Sequence, residues 1–115
     1  MKVLIVEDSR PMRRILRQVV GKLADEVYEC SDGSEALAAY GERRPNWVLM
    51  DIKMEGCDGL MATRKITASF PDARVVIVSN YDDEDMRQAA HKAGAVGFVA
   101  KDNLLDLRRL LAAKA

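Results

Sequence analysis

The chain has 115 residues, with 18 Lys and Arg against 18 Asp and Glu, 49% hydrophobic and 5% aromatic residues, the composition of one compact domain rather than two. A domain of this size buries roughly two thirds of its unfolded-chain surface, so neither a metal staple nor disulfides are required for folding. Zero formal net charge argues against non-specific nucleic-acid binding, which needs a basic excess; no apolar run approaches the roughly 20 residues of a membrane-spanning helix, and a cytoplasmic protein with no membrane or direct nucleic-acid contact is expected.

The run Val3 to Val6 predicts a first strand. Met12, Ile15, Leu16, Val19, Val20 and Leu23 then fall at helical spacing and line one side of a helix, with Pro11 in its first turn and Asp8 or Ser9 as its cap. Val27 to Cys30 is a second strand, and Glu29 within it marks an edge with one wetter face. A short helix over Ser34 to Tyr40 follows Asp32-Gly33, a third strand covers Trp47 to Met50, and Leu60 to Phe70 is a third helix after Asp58-Gly59. Pro45 and Pro71 close the second and third helices. Val75 to Val78 is a fourth strand. The helix after it turns only Met86, Ala89, Ala90 and Ala93 inward. It should be loosely held, because an Ala methyl contributes roughly 0.8 kcal/mol where a buried Leu contributes roughly 1.5 to 3. Gly97 to Ala100 is the last strand, and leucines 104, 107, 110 and 111 face a fifth helix inward. Alternation of short apolar runs with helical segments is the signature of βαβ units, so a single α/β domain over 1–115 with a parallel sheet is expected. Cys30 and Cys57 have neither zinc spacing nor disulfide density and are expected to be free thiols.

In an open parallel sheet, ligands bind beyond the carboxyl ends of the strands. The first strand there delivers Glu7 and Asp8, the third Asp51, the fourth Ser79 and the fifth Lys101, while the second ends in Cys30-Ser31 with no comparable group. Three converging carboxylates repel one another unless a cation joins them. Mg²⁺ suits oxygen ligands and one or two carboxylates, so Asp8 and Asp51 are the candidate ligands with Glu7 in support. Calcium wants more oxygens and a dedicated loop, and the single histidine, His91, leaves zinc without its ligands. A carboxylate is also a nucleophile toward phosphorus. Lys101 and the Ser79 hydroxyl would neutralise the oxygens of a phosphoryl group on Asp51 that the metal does not hold.

With these residues in view, the whole chain resembles the receiver domains of bacterial two-component response regulators. The resemblance rests on Glu7-Asp8, Met12-Arg13-Arg14, Asp51 within Met50-Asp51-Ile52-Lys53-Met54, Asp58-Gly59, Ser79 and Gly97-Phe98-Val99-Ala100-Lys101. It implies a flavodoxin-like, doubly wound sheet of strand order 2-1-3-4-5. It implies phosphorylation of Asp51 by a histidine kinase or phosphotransfer protein, Mg²⁺ on Glu7, Asp8, Asp51 and the backbone carbonyl of Lys53, and joint movement of Ser79 and Phe98 on activation. The activated face, formed by the fourth helix, fifth strand and fifth helix, would be read by an output partner or an output domain, a DNA-binding one included. The protein would be a monomer or a phosphorylation-dependent dimer. Lys53 and Tyr81 occupy positions that in the family flank the phosphate and tune its lifetime.

The sequence departs from the family pattern in having Met54-Glu55 where Met-Pro is usual, and Lys101-Asp102 where Lys-Pro is common; the latter looks like receivers joined to helix-turn-helix domains. Glu55 would bring a negative charge near the phosphate. Each residue alone has a plainer reading: Glu7-Asp8 as a helix cap, Phe98 as core packing, and Arg13, Arg14 and Arg17 as a solvated helix face, with an acidic partner's docking surface as the alternative. A Mg²⁺-dependent phosphatase of the haloacid dehalogenase type is the enzymatic rival. It would carry a second Asp two residues after the nucleophile, where this chain has Lys53. A receiver that is never phosphorylated and serves only for dimerisation is the structural rival.

Overall fold

The computed structural model describes residues 1–54 and 57–114. Five parallel strands, β1 (Lys2–Val6), β2 (Glu26–Cys30), β3 (Trp47–Met50), β4 (Val75–Ser79) and β5 (Gly97–Ala100), form one sheet in the order β2-β1-β3-β4-β5. The helices are α1 (Arg10–Val20), α2 (Ala36–Arg43), α3 (Gly59–Ser69), α4 (Glu84–Lys92) and α5 (Leu104–Lys114), and a 3₁₀ turn over Gly33–Glu35 leads into α2. This is the doubly wound α/β arrangement with the expected strand order. No helix among the described residues is long and apolar enough to cross a membrane.

The strands read as continuous apolar runs because both sheet faces are covered. Leu4, Val6, Val48, Met50, Val75 and Ile77 pack on one face against Ala36 and Tyr40 of α2, Ala62 and Ile66 of α3 and Ala90 of α4. Val3, Ile5, Leu49, Val76, Val78 and Val99 point the other way, against Leu16 and Val20 of α1 and Leu107 and Leu111 of α5. Within its length α4 fully buries Ala90 alone, with Met86 and Ala89 half-buried, in keeping with its sparse apolar pattern. Strand β2 lies at the sheet edge with Glu29 exposed.

Some boundaries shift. Helix α1 is capped by Ser9, whose Oγ accepts from the Met12 N–H, rather than by Asp8. It ends at Val20, and Leu23 sits in a closing turn whose N–H donates to the Val20 carbonyl at 2.9 Å. Ile15 was expected on the buried side but is 44% exposed, because Leu16 and Val20, four residues apart, form the centre of the buried stripe and Ile15 falls to its margin. Helix α2 starts later and runs further than Ser34 to Tyr40, and closes on Arg44 in the left-handed region (φ 48). Cys30 and Cys57 are free and buried; burial, then Glu35, pushes the Cys30 thiol up to about 11.

Gly59 opens α3 directly beneath the end of β3. A Cβ there would stand 1.8 Å from the Asp51 carbonyl oxygen and 2.9 Å from Ile52 Cα, both backbone, so no side-chain movement can relieve the clash. Gly59→Ala is expected to lower stability by about 3 kcal/mol, read as a shift in the urea midpoint; an unchanged midpoint would contradict this packing.

Candidate functional site

Strand register assembles the site. Val6 pairs with Met50 across β1 and β3, so Glu7 and Asp51 leave adjacent strands at the same level, and the Asp51 N–H donates to the Val6 carbonyl at 3.0 Å. Ser79 pairs with Ala100 across β4 and β5, so Lys101 leaves the sheet beside it, and its N–H donates to the Ser79 carbonyl at 2.9 Å. The acids and the lysine converge because the strands end in step, and β2 contributes no such group.

Glu7 and Ser79 are each 1% exposed and Asp51 is 7% exposed. The Lys101 Nζ lies 2.8 Å from Glu7 Oε1 and 3.1 Å from Asp51 Oδ1. Burial works to lower the Lys101 pKa, but hydrogen bonding to Glu7 and the charge of Asp51 more than offset it, so the ammonium is held above its ordinary value. Burial, then the adjacent Glu7, raises the Asp8 carboxyl above the usual aspartate value. Glu7 thus has a second partner beyond any metal: it is the buried counter-charge of Lys101.

Glu7, Asp8 and Asp51 each present an oxygen within 4.8 Å of the others. Three carboxylates against one ammonium leave two negative charges, carried on hard oxygen donors with no sulfur or imidazole among them. That donor set fits Mg²⁺, which binds through few carboxylates and keeps several waters.

Other expected residues take distinct places. Ser79 Oγ accepts from the Tyr81 N–H at 3.0 Å, which fixes the oxygen and leaves the hydroxyl proton free to point elsewhere. Lys53 and Tyr81 meet across two loops, with the Lys53 Nζ 4.2 Å from the centre of the Tyr81 ring. Phe98 is half-buried, with the Arg87 guanidinium 4.8 Å from its ring centre and Arg87 Nε 2.5 Å from Asp82 Oδ1. Glu55 lies outside the described residues.

Of the three arginines read as a solvated face, Arg14 and Arg17 are exposed, whereas the reading of Arg13, with its side chain 17% exposed, needs correction. Arg13 Nε lies 3.0 Å from Glu29 Oε1, Arg17 Nη2 lies 2.6 Å from Glu29 Oε2, and Arg13 Nη1 donates to the backbone carbonyls of Glu7 (2.8 Å) and Asp8 (3.2 Å). Sequence spacing places Arg13 and Arg17, four residues apart, on one helix face, but that Glu29 meets them follows only once β2 is known to lie beside β1.

A family profile described as the response regulator receiver domain matches residues 3–113. The chain is 37% identical over 101 residues to the chemotaxis protein CheY of Thermotoga maritima, covering 87% of this chain and 84% of that protein. It is 35% identical over 104 residues to the uncharacterized transcriptional regulatory protein YhcZ of Bacillus subtilis, covering 89% of this chain and 49% of that one. The chain therefore spans about half the length of the transcriptional regulators it matches. The solved CheX-CheY-BeF3-Mg²⁺ complex of Borrelia burgdorferi superposes with a TM-score of 0.86 at 26% identity, over 100% of this chain and 90% of that one.

The buried Glu7–Lys101 pair has an energetic consequence. Lys101→Met strands a carboxylate in the interior and is expected to cost about 3 kcal/mol in urea unfolding without divalent ions, and adding Glu7→Gln should recover more than half of that loss. Additive losses in the double variant would contradict the pairing.

Proposed function

The chain belongs to the response regulator receiver domain family, and from that premise we propose that it is a signalling phosphoacceptor in which Asp51 takes a phosphoryl group from a histidine kinase or phosphotransfer protein. The observation that carries this reading is the convergence of three carboxylate oxygens within 4.8 Å around an ammonium 2.8 and 3.1 Å from two of them. An Asp51 oxygen attacks phosphorus, a new O–P bond forms as the bond from phosphorus to the donor breaks, and the donor's imidazole or carboxylate leaves with the electron pair. Lys101, released from Asp51 Oδ1, meets one phosphoryl oxygen, and the Ser79 hydroxyl donates to another. Glu7, Asp8, Asp51 and the Lys53 carbonyl would hold Mg²⁺, which when bound neutralises a third oxygen. The relative solved with BeF3 and Mg²⁺ supports that choice of ion. Nothing in this step requires a dedicated enzyme; Asp51 is itself the acceptor, and a second Asp in the position of Lys53, which a phosphatase would use as its acid, is missing.

Drawing Ser79 toward the phosphoryl group pulls on the loop that carries Tyr81 and Asp82. Through Arg87 that loop is joined to Phe98, so the face of α4, β5 and α5 changes with phosphorylation. An output partner or appended domain reads that face. Similarity to chemotaxis regulators of about this length and to transcriptional regulators of about twice this length leaves both outputs within this reading, as it does a monomer or a phosphorylation-dependent dimer. Lys53 and Tyr81, stacked on each other, shield the acyl phosphate from water and set its lifetime.

Incubated with Mg²⁺ and acetyl phosphate, the protein is expected to gain one labile phosphoryl group on Asp51 by intact-mass and peptide analysis, and Asp51→Asn to gain none. Many turnovers of phosphate release would instead indicate the phosphatase, and no incorporation the dimerisation module. Lys53→Ala and Tyr81→Ala are each expected to change the decay rate of the phosphorylated form at least about twofold, with the double variant no further from the parent than the larger single effect, because one stacked pair is being removed. Unchanged decay in both single variants would remove these residues from the account.

A further inference from the structure

The two acids on the loop after β1 are adjacent in sequence and share a charge, so left to themselves they would diverge. Glu7 is tied down by Lys101 and accepts from the Ser9 N–H at 3.1 Å, whereas Asp8 is exposed and has the like-charged Glu7 as its side-chain neighbour. The loop backbone is held from a different direction. Arg13, whose side chain is only 17% exposed, donates from one nitrogen to the carbonyls of Glu7 and Asp8 at 2.8 and 3.2 Å. Its Nε is anchored 3.0 Å from Glu29 on the edge strand. A carbonyl pinned at both residues fixes the orientation of both peptide planes, and with them the directions in which the two side chains leave the loop. Arg17 shares the Glu29 carboxylate but donates its other bond to the Val27 carbonyl at 3.3 Å and leaves the acidic loop alone.

We propose that Arg13, anchored by Glu29, is a positioning residue that aims the Glu7–Asp8 loop so that its carboxylates converge with Asp51 on a divalent cation. The inference rests on the preceding reading of the acidic site and adds to it a clamp on the far side of the loop, reaching to the sheet edge. The clamp acts against Coulomb's law. Removing a positive charge close to a cation site should by itself tighten cation binding, whereas loss of positioning loosens it, so the sign of the change separates the two.

The test is calorimetric titration of the metal-free protein with MgCl2 alone, with urea unfolding of each variant as a separate readout. Arg13→Ala is expected to weaken Mg²⁺ binding about tenfold, the range in which losing an orienting partner of a metal ligand falls. Arg13→Lys keeps the charge but not the fork and should weaken it severalfold. Glu29→Gln should weaken it less, and add nothing in the Arg13→Ala background. Arg17→Ala removes the same charge from the same carboxylate and should leave the affinity within about twofold. Unchanged or tighter binding in Arg13→Ala and Arg13→Lys, even with a lowered unfolding midpoint, overturns the clamp and leaves Arg13 a structural residue only. Asp51→Asn is the reference. If it weakens binding while the Arg13 variants do not, the clamp alone fails; if it leaves Mg²⁺ binding unchanged, the reading of the site fails and the clamp with it.

Discussion

Lys101 sits where the carboxylates of β1 and β3 would otherwise repel each other, 2.8 Å from Glu7 and 3.1 Å from Asp51. Two carboxylates within 4.8 Å of each other repel by at least about 3 kcal/mol at an effective dielectric near 20, and solvent screens Glu7 little at 1% exposure. One ammonium makes the crowded strand ends tolerable without cancelling their charge. On the proposed function the remaining negative charge would seat a cation, and the cation would make Asp51 approachable by an anionic phosphodonor. Stability and the proposed chemistry would then draw on the same three side chains.

Much of this was legible in the chain. Both sheet faces are covered, so strand residues read as unbroken apolar runs, and strand ends fix where side chains emerge. The placement of Glu7, Asp51, Ser79 and Lys101 followed from those two facts, and the family resemblance supplied the strand order that the alternation of elements does not determine. Helix margins were less legible. The apolar series from Met12 to Leu23 has one period, yet Leu16 and Val20 take the centre of the interface, Ile15 is left at its rim, and Leu23 packs from a turn instead of from the helix. Periodicity gives a direction of burial but not the width of the neighbour that covers it.

The polar connections were the hardest to read. Glu29 looked like the wet side of an edge strand, and Arg13 and Arg17 like solvent-facing charges. In the fold they are one cluster, because β2 lies beside β1 and the Arg13 and Arg17 side chains reach from α1 to Glu29. Arg87 similarly joins Phe98 and Asp82 from a helix whose apolar pattern said only that it was thinly packed. Such contacts depend on which strands are neighbours, and sequence spacing alone does not carry that. On the proposed function the thin packing would matter: α4 fully buries only Ala90, so a small pull on the loop after β4 would re-seat it at modest cost.

If one pocket couples Asp51 to Ser79, Lys101 and the face beyond them, amide-resolved NMR in two stages will show it, first with Mg²⁺ and then with beryllofluoride, a phosphoryl mimic. Mg²⁺ alone is expected to shift the amides around residues 7–8 and 51–53, and beryllofluoride then to shift those of Ser79, Tyr81, Arg87, Phe98 and Lys101 in the parent but not in Asp51→Asn. A second stage confined to the neighbourhood of Asp51, or an equal response in Asp51→Asn, would contradict that coupling.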